Sequence, residues 1–316
     1  KNILTLDLGG TSNDVSLIQN GETKLFTDGK IGNYPCRQAM MDISTIGAGG
    51  GSIAWVDGGG WLRVGPHSAG SFPGPACYGK GGTEPTYTDA SLIMGYLRPD
   101  YFAGGEVALD AELARKAIQE KVADVLDMGI YDAASAIHKI MHNQMADQVR
   151  LATVKRGYDP RSFSVVASGG AGPIAACSLL KLLNFKEVIV PPTPGVMAAL
   201  GLLSADIEHE EVVTFAAKID EVDLQELKAA IGEGKQLCGQ ERANVGISEN
   251  LLRTTYSAEM RYVGQSYELE IPFPEAEGVL DKAAMEAVKE RFHQRHEHVY
   301  KHAFRNLQIE FTAIRI

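Results

Sequence analysis

LTLDLGGTSNDVSLIQNGETKLF, residues 4–26, is the stretch on which the fold turns. NILTLDL, DVSLI and ETKLF read as three short strands. Asn20-Gly21 joins the last two, because both residues tolerate the positive φ that a two-residue hairpin turn requires. The first 28 residues are therefore predicted to form three consecutive antiparallel strands. Between the first two lies DLGGTSND, and its residues leave two readings open. Gly9 and Gly10 admit a close approach of backbone N–H groups to a phosphate, Thr11 adds a hydroxyl, and Asp7 and Asp14 offer hard oxygen ligands for a hydrated Mg²⁺. The same residues also make a plain glycine turn with an acid at each end.

Further along, residues 29–105 are dense in Gly, Pro, Ser and Thr. A long stretch of this kind inside a compact chain is either disordered or functional. Its embedded Trp55, Trp61, Phe72, Tyr78 and Tyr87 favour an ordered, packed region. A helix is expected from an N-cap at Asp110 to about Gly129, with Leu113, Ala117, Ile118, Val122 and Val125 at helical spacing. A second carries Ala134, Ile137, Met141, Met145, Val149 and Ala152 on one stripe and ends before Pro160. FSVVASGG is a buried strand, AGPIAACSLLKLLNF a helix, EVIVPP a strand and PGVMAALGLLSAD a short apolar helix. Three antiparallel strands, then helices, strand, helix and strand, is the order of the ribonuclease-H-like unit of the actin, hexokinase and sugar-kinase folds. From about residue 207 the pattern changes to mixed strands and helices. The predicted organisation is a nucleotide-binding subdomain over 1–206 with a glycine-rich insertion at 29–105, and an α+β region over 207–316.

The chain has 316 residues, with 30 basic against 40 acidic side chains and a net charge of −10. That sign argues against nucleic acid or anionic lipid as a general partner. Cys36, Cys77, Cys177 and Cys238 form no C-x-x-C pair, and a reduced, cytoplasmic setting is the plain reading. No apolar run approaches the length of a membrane span, and no signal peptide is read. A start at Lys1 that enters a strand almost at once is expected of a segment of something longer.

Two further stretches carry possible chemistry. In VVASGGAGPIAA, Gly169, Gly170, Ala171 and Gly172 follow a buried strand and open a helix, which is a recurrent nucleotide site and also a recurrent packing device. In STIGAGGGSIAWVD, Gly49, Gly50, Gly51 and Ser52 either wrap an anion or form a demanding loop held by its neighbours. His67, Cys77 and Asp89 are read as structural. Cys77 has no basic neighbour in sequence to activate it. His138 and His142 lie one helical turn apart but flank a core stripe, so they are expected at the surface or an edge.

Taken together, DLGGTSNDVSL, TIGAGGGSIAWVD, LRVGPHSAGSFPGPACYGKGGTEPTYTDA, RGYDPRSFSVVASGGAGPIAA, VPPTPGVMAALGLLSAD and MRYVGQSYELEIP resemble the hydantoinase/oxoprolinase family, nearly end to end and in order. They look like the hydantoinase A domain of its A-type subunits. The resemblance implies an α/β actin-like ATPase domain, ribonuclease-H-like, with a C-terminal α+β extension. Family members couple ATP hydrolysis to chemistry on an amide or ketone, by phosphorylating an enol or imidate oxygen. They include hydantoinases, 5-oxoprolinase and subunits of acetone and acetophenone carboxylases. DLGGTSND would be the second phosphate motif, the first lying in an additional N-terminal domain that this segment lacks. The GGAG turn would be the adenosine motif.

The resemblance thus implies ATP and Mg as cofactors, with Asp7 and Asp14 as catalytic and metal-holding residues. Gly9, Gly10 and Thr11 would hold phosphates, Gly169 to Gly172 the nucleoside, and Gly49 to Ser52 would also face the ligand. It makes a small-molecule substrate and a B-type partner subunit or domain the expected company. The family's GGAGPLHA reads GGAGPIAA here, so Ala175 stands where a His is usual. Three functions follow: a cyclic-amide hydrolase of hydantoin or 5-oxoproline type, a ketone carboxylase subunit, or a non-catalytic scaffold in which the glycine turns serve packing.

Overall fold

The computed structural model describes residues 1–23, 25–26, 29–31, 34–36, 40–273 and 280–316. Parts of the predicted glycine-rich insertion (32–33 and 37–39), residue 24 of the predicted third strand and the Cys36 side chain lie outside the described residues. The chain divides into two compact units, Lys1–Ala205 and Asp206–Ile316.

In the first unit, β1 (Ile3–Leu8) and β2 (Asn13–Gln19) alternate between buried and half-buried positions, β2 as far as Ile18. Leu4, Leu6 and Leu8 on β1, with Val15 and Leu17 on β2, point into the core. The intervening Thr5, Asp7, Asp14 and Ser16 share the opposite, more open face, as the two-residue period of a strand demands. The strands pair antiparallel with Leu6 opposite Val15 and Asp7 opposite Asp14. Asn20 and Gly21, at φ +55° and +92°, make the predicted turn.

Among the described residues, the predicted third strand pairs with β2 only at its start, and Leu25–Phe26 pairs instead with Met40–Met41. β3 (Glu22–Thr23) pairs with the end of β2 at Ile18 and Gln19. The rest of that edge is taken by β4 (Ile43–Ile46), which sets Thr45 opposite Asp14. A distant segment thus completes the edge of β2. β5 (Ser52–Val56) and β6 (Leu62–Ser68) form a separate hairpin.

α1 (Tyr87–Ile93) starts with a capping box between Thr86 and Asp89. The buried Asp89 carboxylate also accepts from the backbone N–H groups of Ala76, at 3.2 Å, and Cys77, at 2.8 Å. That carboxylate ties the glycine-rich segment to the core. The aromatics contribute less than expected: Tyr87 is fully buried, but Trp61 and Phe72 are 70% and 80% exposed.

α2 (Ala111–Ile118) is capped by Asp110, which accepts from the N–H groups of Glu112 and Leu113. It runs into a π turn over Gln119–Ala123. The wider turn shifts the helical phase, and Val125 falls on the exposed side. α3 (Ile130–Ala152) buries the whole predicted stripe, Ala134 to Ala152. β7 (Ser164–Ser168) then lies parallel to β1. α4 (Gly172–Leu183) follows, and β8 (Glu187–Ile189) pairs parallel to β7. α5 (Met197–Ser204) closes the unit.

The sheet order is β8-β7-β1-β2-β3, with β4 also on β2. One face is covered by α3 and α4 through Met141, Met145, Val149 and Leu179. This is the ribonuclease-H-like arrangement of the actin-like fold. The second unit is α+β. Its antiparallel sheet runs β9 (Val212–Lys218), β12 (Ile309–Arg315), β10 (Ser257–Tyr262) and β11 (Leu269–Pro272). α6 (Leu224–Val245) and α7 (Lys282–Tyr300) share a core with it through Leu227, Val288 and Phe292.

Candidate nucleotide site

Asp7 and Asp14 sit side by side on the open face of the sheet, one on β1 and one on β2. Like charges directly opposite on an antiparallel pair destabilise it. The Asp7 carboxyl is held above the usual carboxylate range, first by burial and then by the neighbouring Asp14 charge. Asp14 is supported on both oxygens. Thr45 Oγ1 donates to its Oδ1 at 2.5 Å and Ser12 Oγ to its Oδ2 at 3.3 Å. Both acids line a cleft of about 200 Å³, together with Thr5, Ser16, Ser168 and Met197.

Above the acids the chain turns through Gly9, Gly10 and Thr11. Gly9 N–H donates to the Ser12 carbonyl at 3.0 Å and closes the turn. Behind it stands the segment from Gly49 to Ser52. Gly50 N–H donates to the Gly9 carbonyl at 2.9 Å, and Gly51 N–H to the Gly10 carbonyl at 2.7 Å. In a planar trans peptide the C=O and the following N–H point opposite ways. Anchoring the carbonyls of Gly9 and Gly10 on one side therefore turns the N–H groups of Gly10 and Thr11 to the other. Both residues are exposed. A Cβ at Gly49 would stand 2.5 Å from the Thr11 nitrogen, so only glycine lets the two loops lie this close.

The expected direct contact of Gly49 to Ser52 with ligand is not what this packing provides. All four residues are buried. Gly49 N–H donates to Ser52 Oγ and Ser52 N–H to the Gly49 carbonyl. With the Gly50 and Gly51 bonds, all four backbone donors are engaged inside the protein. The segment supports the first loop from behind.

The GGAG turn meets the same end of the sheet. Gly169, at φ +79°, packs so closely that a Cβ there would lie 2.3 Å from the Leu8 carbonyl oxygen and 2.5 Å from Asp7 Oδ1. Ala171 N–H donates to the Leu8 carbonyl at 3.0 Å. Gly170 is exposed. Gly172 opens α4, whose N-cap residue, Ala171, supplies no side-chain cap. A helix start of this kind presents N–H groups and a partial positive charge. The structure therefore brings together Asp7, Asp14, Gly9 to Thr11 and Gly169 to Gly172, with Gly49 to Ser52 in the second row.

Other singled-out residues lie elsewhere. Cys77 is buried, and burial pushes its thiol up, away from thiolate chemistry. His67 is exposed. His138 and His142 are not at the surface: they are 5% and 6% exposed. They pack on α1, with Tyr87 Oη 2.9 Å from His142 Nε2 and Ser91 Oγ 3.1 Å from His138 Nε2. A stripe read from one helix did not include partners that α1 brings from about fifty residues earlier in the chain. Two supporting residues went unread in the sequence, Thr45 and Gln148. Gln148 Oε1 accepts from Asn13 Nδ2 at 2.6 Å, and its Nε2 donates to the Ser44 carbonyl at 2.6 Å. Thr45 falls on the open face by the alternation of ISTI, but only the pairing of β4 with β2 places it against Asp14.

An actin-like sheet with two glycine turns over a carboxylate pair defines a chain of the actin-like ATPase fold class. The hydantoinase/oxoprolinase family model matches residues 1–211, and the chain belongs to that family. It is 36% identical to caprolactamase subunit alpha of Pseudomonas jessenii over 316 residues, covering 99% of this chain and 45% of that one. It is 42% identical to the acetophenone carboxylase gamma subunit of Aromatoleum aromaticum over 211 residues, 66% of this chain and 29% of the relative. The nucleotide-free structure of acetone carboxylase superposes with a TM-score of 0.86 at 28% identity, over 100% of this chain and 46% of that one. The ATP-dependent caprolactamase of Pseudomonas jessenii superposes at 0.71 and 35% identity, with 46% of its chain covered. The chain thus spans less than half the length of these relatives. Among the described residues, no helix is long and apolar enough to cross a membrane.

Proposed function

We propose that this chain is the nucleotide-binding part of an ATP-dependent enzyme that opens a cyclic amide, acting with a partner subunit or domain. The observation that carries the reading is the Asp7–Asp14 pair beneath a loop whose carbonyls are held back so that the N–H groups of Gly10 and Thr11 face away from their support. Two adjacent carboxylates suit Mg²⁺, which commonly takes one or two carboxylates, several waters and phosphate oxygens.

In this reading Asp7 and Asp14 hold the cation, and the N–H groups of Gly10 and Thr11 with the Thr11 hydroxyl receive phosphate oxygens. Gly169 to Gly172 take the nucleoside side. Bound Mg²⁺ neutralises charge on the transferring phosphoryl group. The backbone donors, already oriented, require no reorganisation as that charge develops. Phosphorylation of the amide oxygen would activate its carbon toward water; the ring C–N bond then breaks with the nitrogen leaving as the amine, and hydrolysis of the resulting acyl phosphate releases phosphate and the open-chain carboxylate.

The full-chain match to caprolactamase favours the amide reading. The higher TM-score to acetone carboxylase favours a ketone carboxylase subunit as the second. ADP release by the full-length protein with its partner separates them. Caprolactam, hydantoin or 5-oxoproline should stimulate it. Stimulation only by a ketone with bicarbonate would overturn the hydrolase reading in favour of the carboxylase. The absence of any nucleotide turnover or binding would favour the scaffold. The net charge of −10 offers little to nucleic acid.

A further inference from the structure

We propose that Thr45 is a positioning residue for Asp14: its hydroxyl, reaching across from β4, fixes one carboxylate oxygen and leaves the remaining oxygen sites oriented for a divalent cation. This rests on the reading of Asp7 and Asp14 as the cation-holding pair.

Thr45 stands directly opposite Asp14 on the strand pair, and its Oγ1 donates to Asp14 Oδ1. On the other side of Asp14 stands Asp7. Repulsion between the two acids acts to swing Asp14 away from Asp7. An aspartate on an open sheet face has rotamers free to respond. A β-branched threonine is stiff at χ1, so its hydroxyl is a fixed anchor. Ser12 adds a longer bond to Oδ2, 3.3 Å from a turn residue. A carboxylate offers about four lone-pair sites, so one anchor leaves room for a metal.

The anchor is itself built in. Gln148, 2% exposed on α3, donates to the carbonyl of Ser44 and accepts from the side chain of Asn13. Ser44 and Asn13 are the neighbours of Thr45 and Asp14. One buried amide thus locks the two strands in register behind the pair.

The test uses the full-length protein and Mn²⁺ as the probe, titrated by electron paramagnetic resonance with and without ATP. Thr45→Val keeps shape and branching but removes the donor, whereas Thr45→Ser keeps the donor. Thr45→Val should weaken Mn²⁺ binding about tenfold, the lower end of what loss of a group orienting a ligand costs. Thr45→Ser should stay within about threefold of the parent, since the orienting hydrogen bond survives. Unchanged affinity in Thr45→Val, with the parent binding normally, overturns the role of Thr45 and leaves the acid pair intact. A parent that binds no Mn²⁺ overturns the acid-pair reading itself and this inference with it. If Thr45→Val does not fold, Thr45→Ala carries the test: it also lacks the donor to Asp14, it should weaken Mn²⁺ binding in the same direction, and unchanged affinity there overturns the positioning role of Thr45.

Discussion

A methyl group at Gly169 would meet both the Leu8 carbonyl and the Asp7 carboxylate, and its φ of +79° already lies in the left-handed region. Gly169→Ala should therefore lose about 1–2 kcal/mol from the backbone conformation alone, and more from displacing Asp7. Urea unfolding would check the first effect and nucleotide affinity the second. Gly49→Ala makes a sharper case, because Gly49 is buried behind the loop. Its Cβ would push on Thr11 N and the Gly10 peptide. Nucleotide affinity should fall at least tenfold in Gly49→Ala, a loss of about 1.4 kcal/mol, although the residue faces away from the ligand. A variant that binds nucleotide as the parent does would remove the supporting role assigned to this segment.

At the scale of elements, α1 and α3 meet through two buried imidazoles. Burial pulls His138 down to about 3, with the neighbouring His142 adding to it, and pulls His142 down to about 4. The groups facing them are Tyr87, Tyr96 and Ser91. Ser91 gives its proton to the Tyr87 carbonyl, so His138 Nε2 carries a hydrogen and the buried Nδ1 is left without a partner. Both rings stay neutral when folded, whereas unfolded rings take up protons below about pH 6.5. The unfolded state then binds more protons, and stability rises with pH across that interval. Their contribution is complete above about pH 6.5 and is lost as pH falls toward 4, at up to about 1.4 kcal/mol per pH unit for each ring. His138→Leu should flatten the dependence of urea midpoints below about pH 6.5, by up to one proton's worth as pH approaches 5. An unchanged slope would mean that His138 is not buried neutral.

The same elements mark what a sequence can and cannot disclose. The alternation in LTLDL and DVSLI, the Asn20-Gly21 turn and the stripe on α3 are local patterns, and the structure realises them. The membership of β4 in the sheet, the placement of Gly49 to Ser52 behind the loop and the burial of His138 each depend on a partner far along the chain. The π turn after Ile118 was hidden as well, because its residues keep ordinary helical chemistry. Asp7 and Asp14 could be read as acids flanking a turn. That they share one face, and that Thr45 braces one of them, came only with the strand pairing.

At the scale of the whole molecule, the two units have separate hydrophobic cores, one around β1 and α3 and one around β12 and α7. Separate cores predict separate unfolding transitions. Mg-ATP should raise the transition of the first unit and leave the second where it is: calorimetry follows both, and tryptophan fluorescence assigns the first because Trp55 and Trp61 both lie in it. A shift shared equally by both transitions would contradict a site confined to residues 1–205.

The central claim is that the Asp7–Asp14 pair and the Gly9–Thr11 loop form a working Mg-nucleotide site. The most direct measurement is thermal unfolding of the full-length protein with and without Mg-ATP, alongside Asp7→Asn. Ligand at one hundred times its dissociation constant should stabilise the parent by about 2.7 kcal/mol, and Asp7→Asn should abolish that gain. No stabilisation of the parent, or an equal gain in Asp7→Asn, would contradict the account.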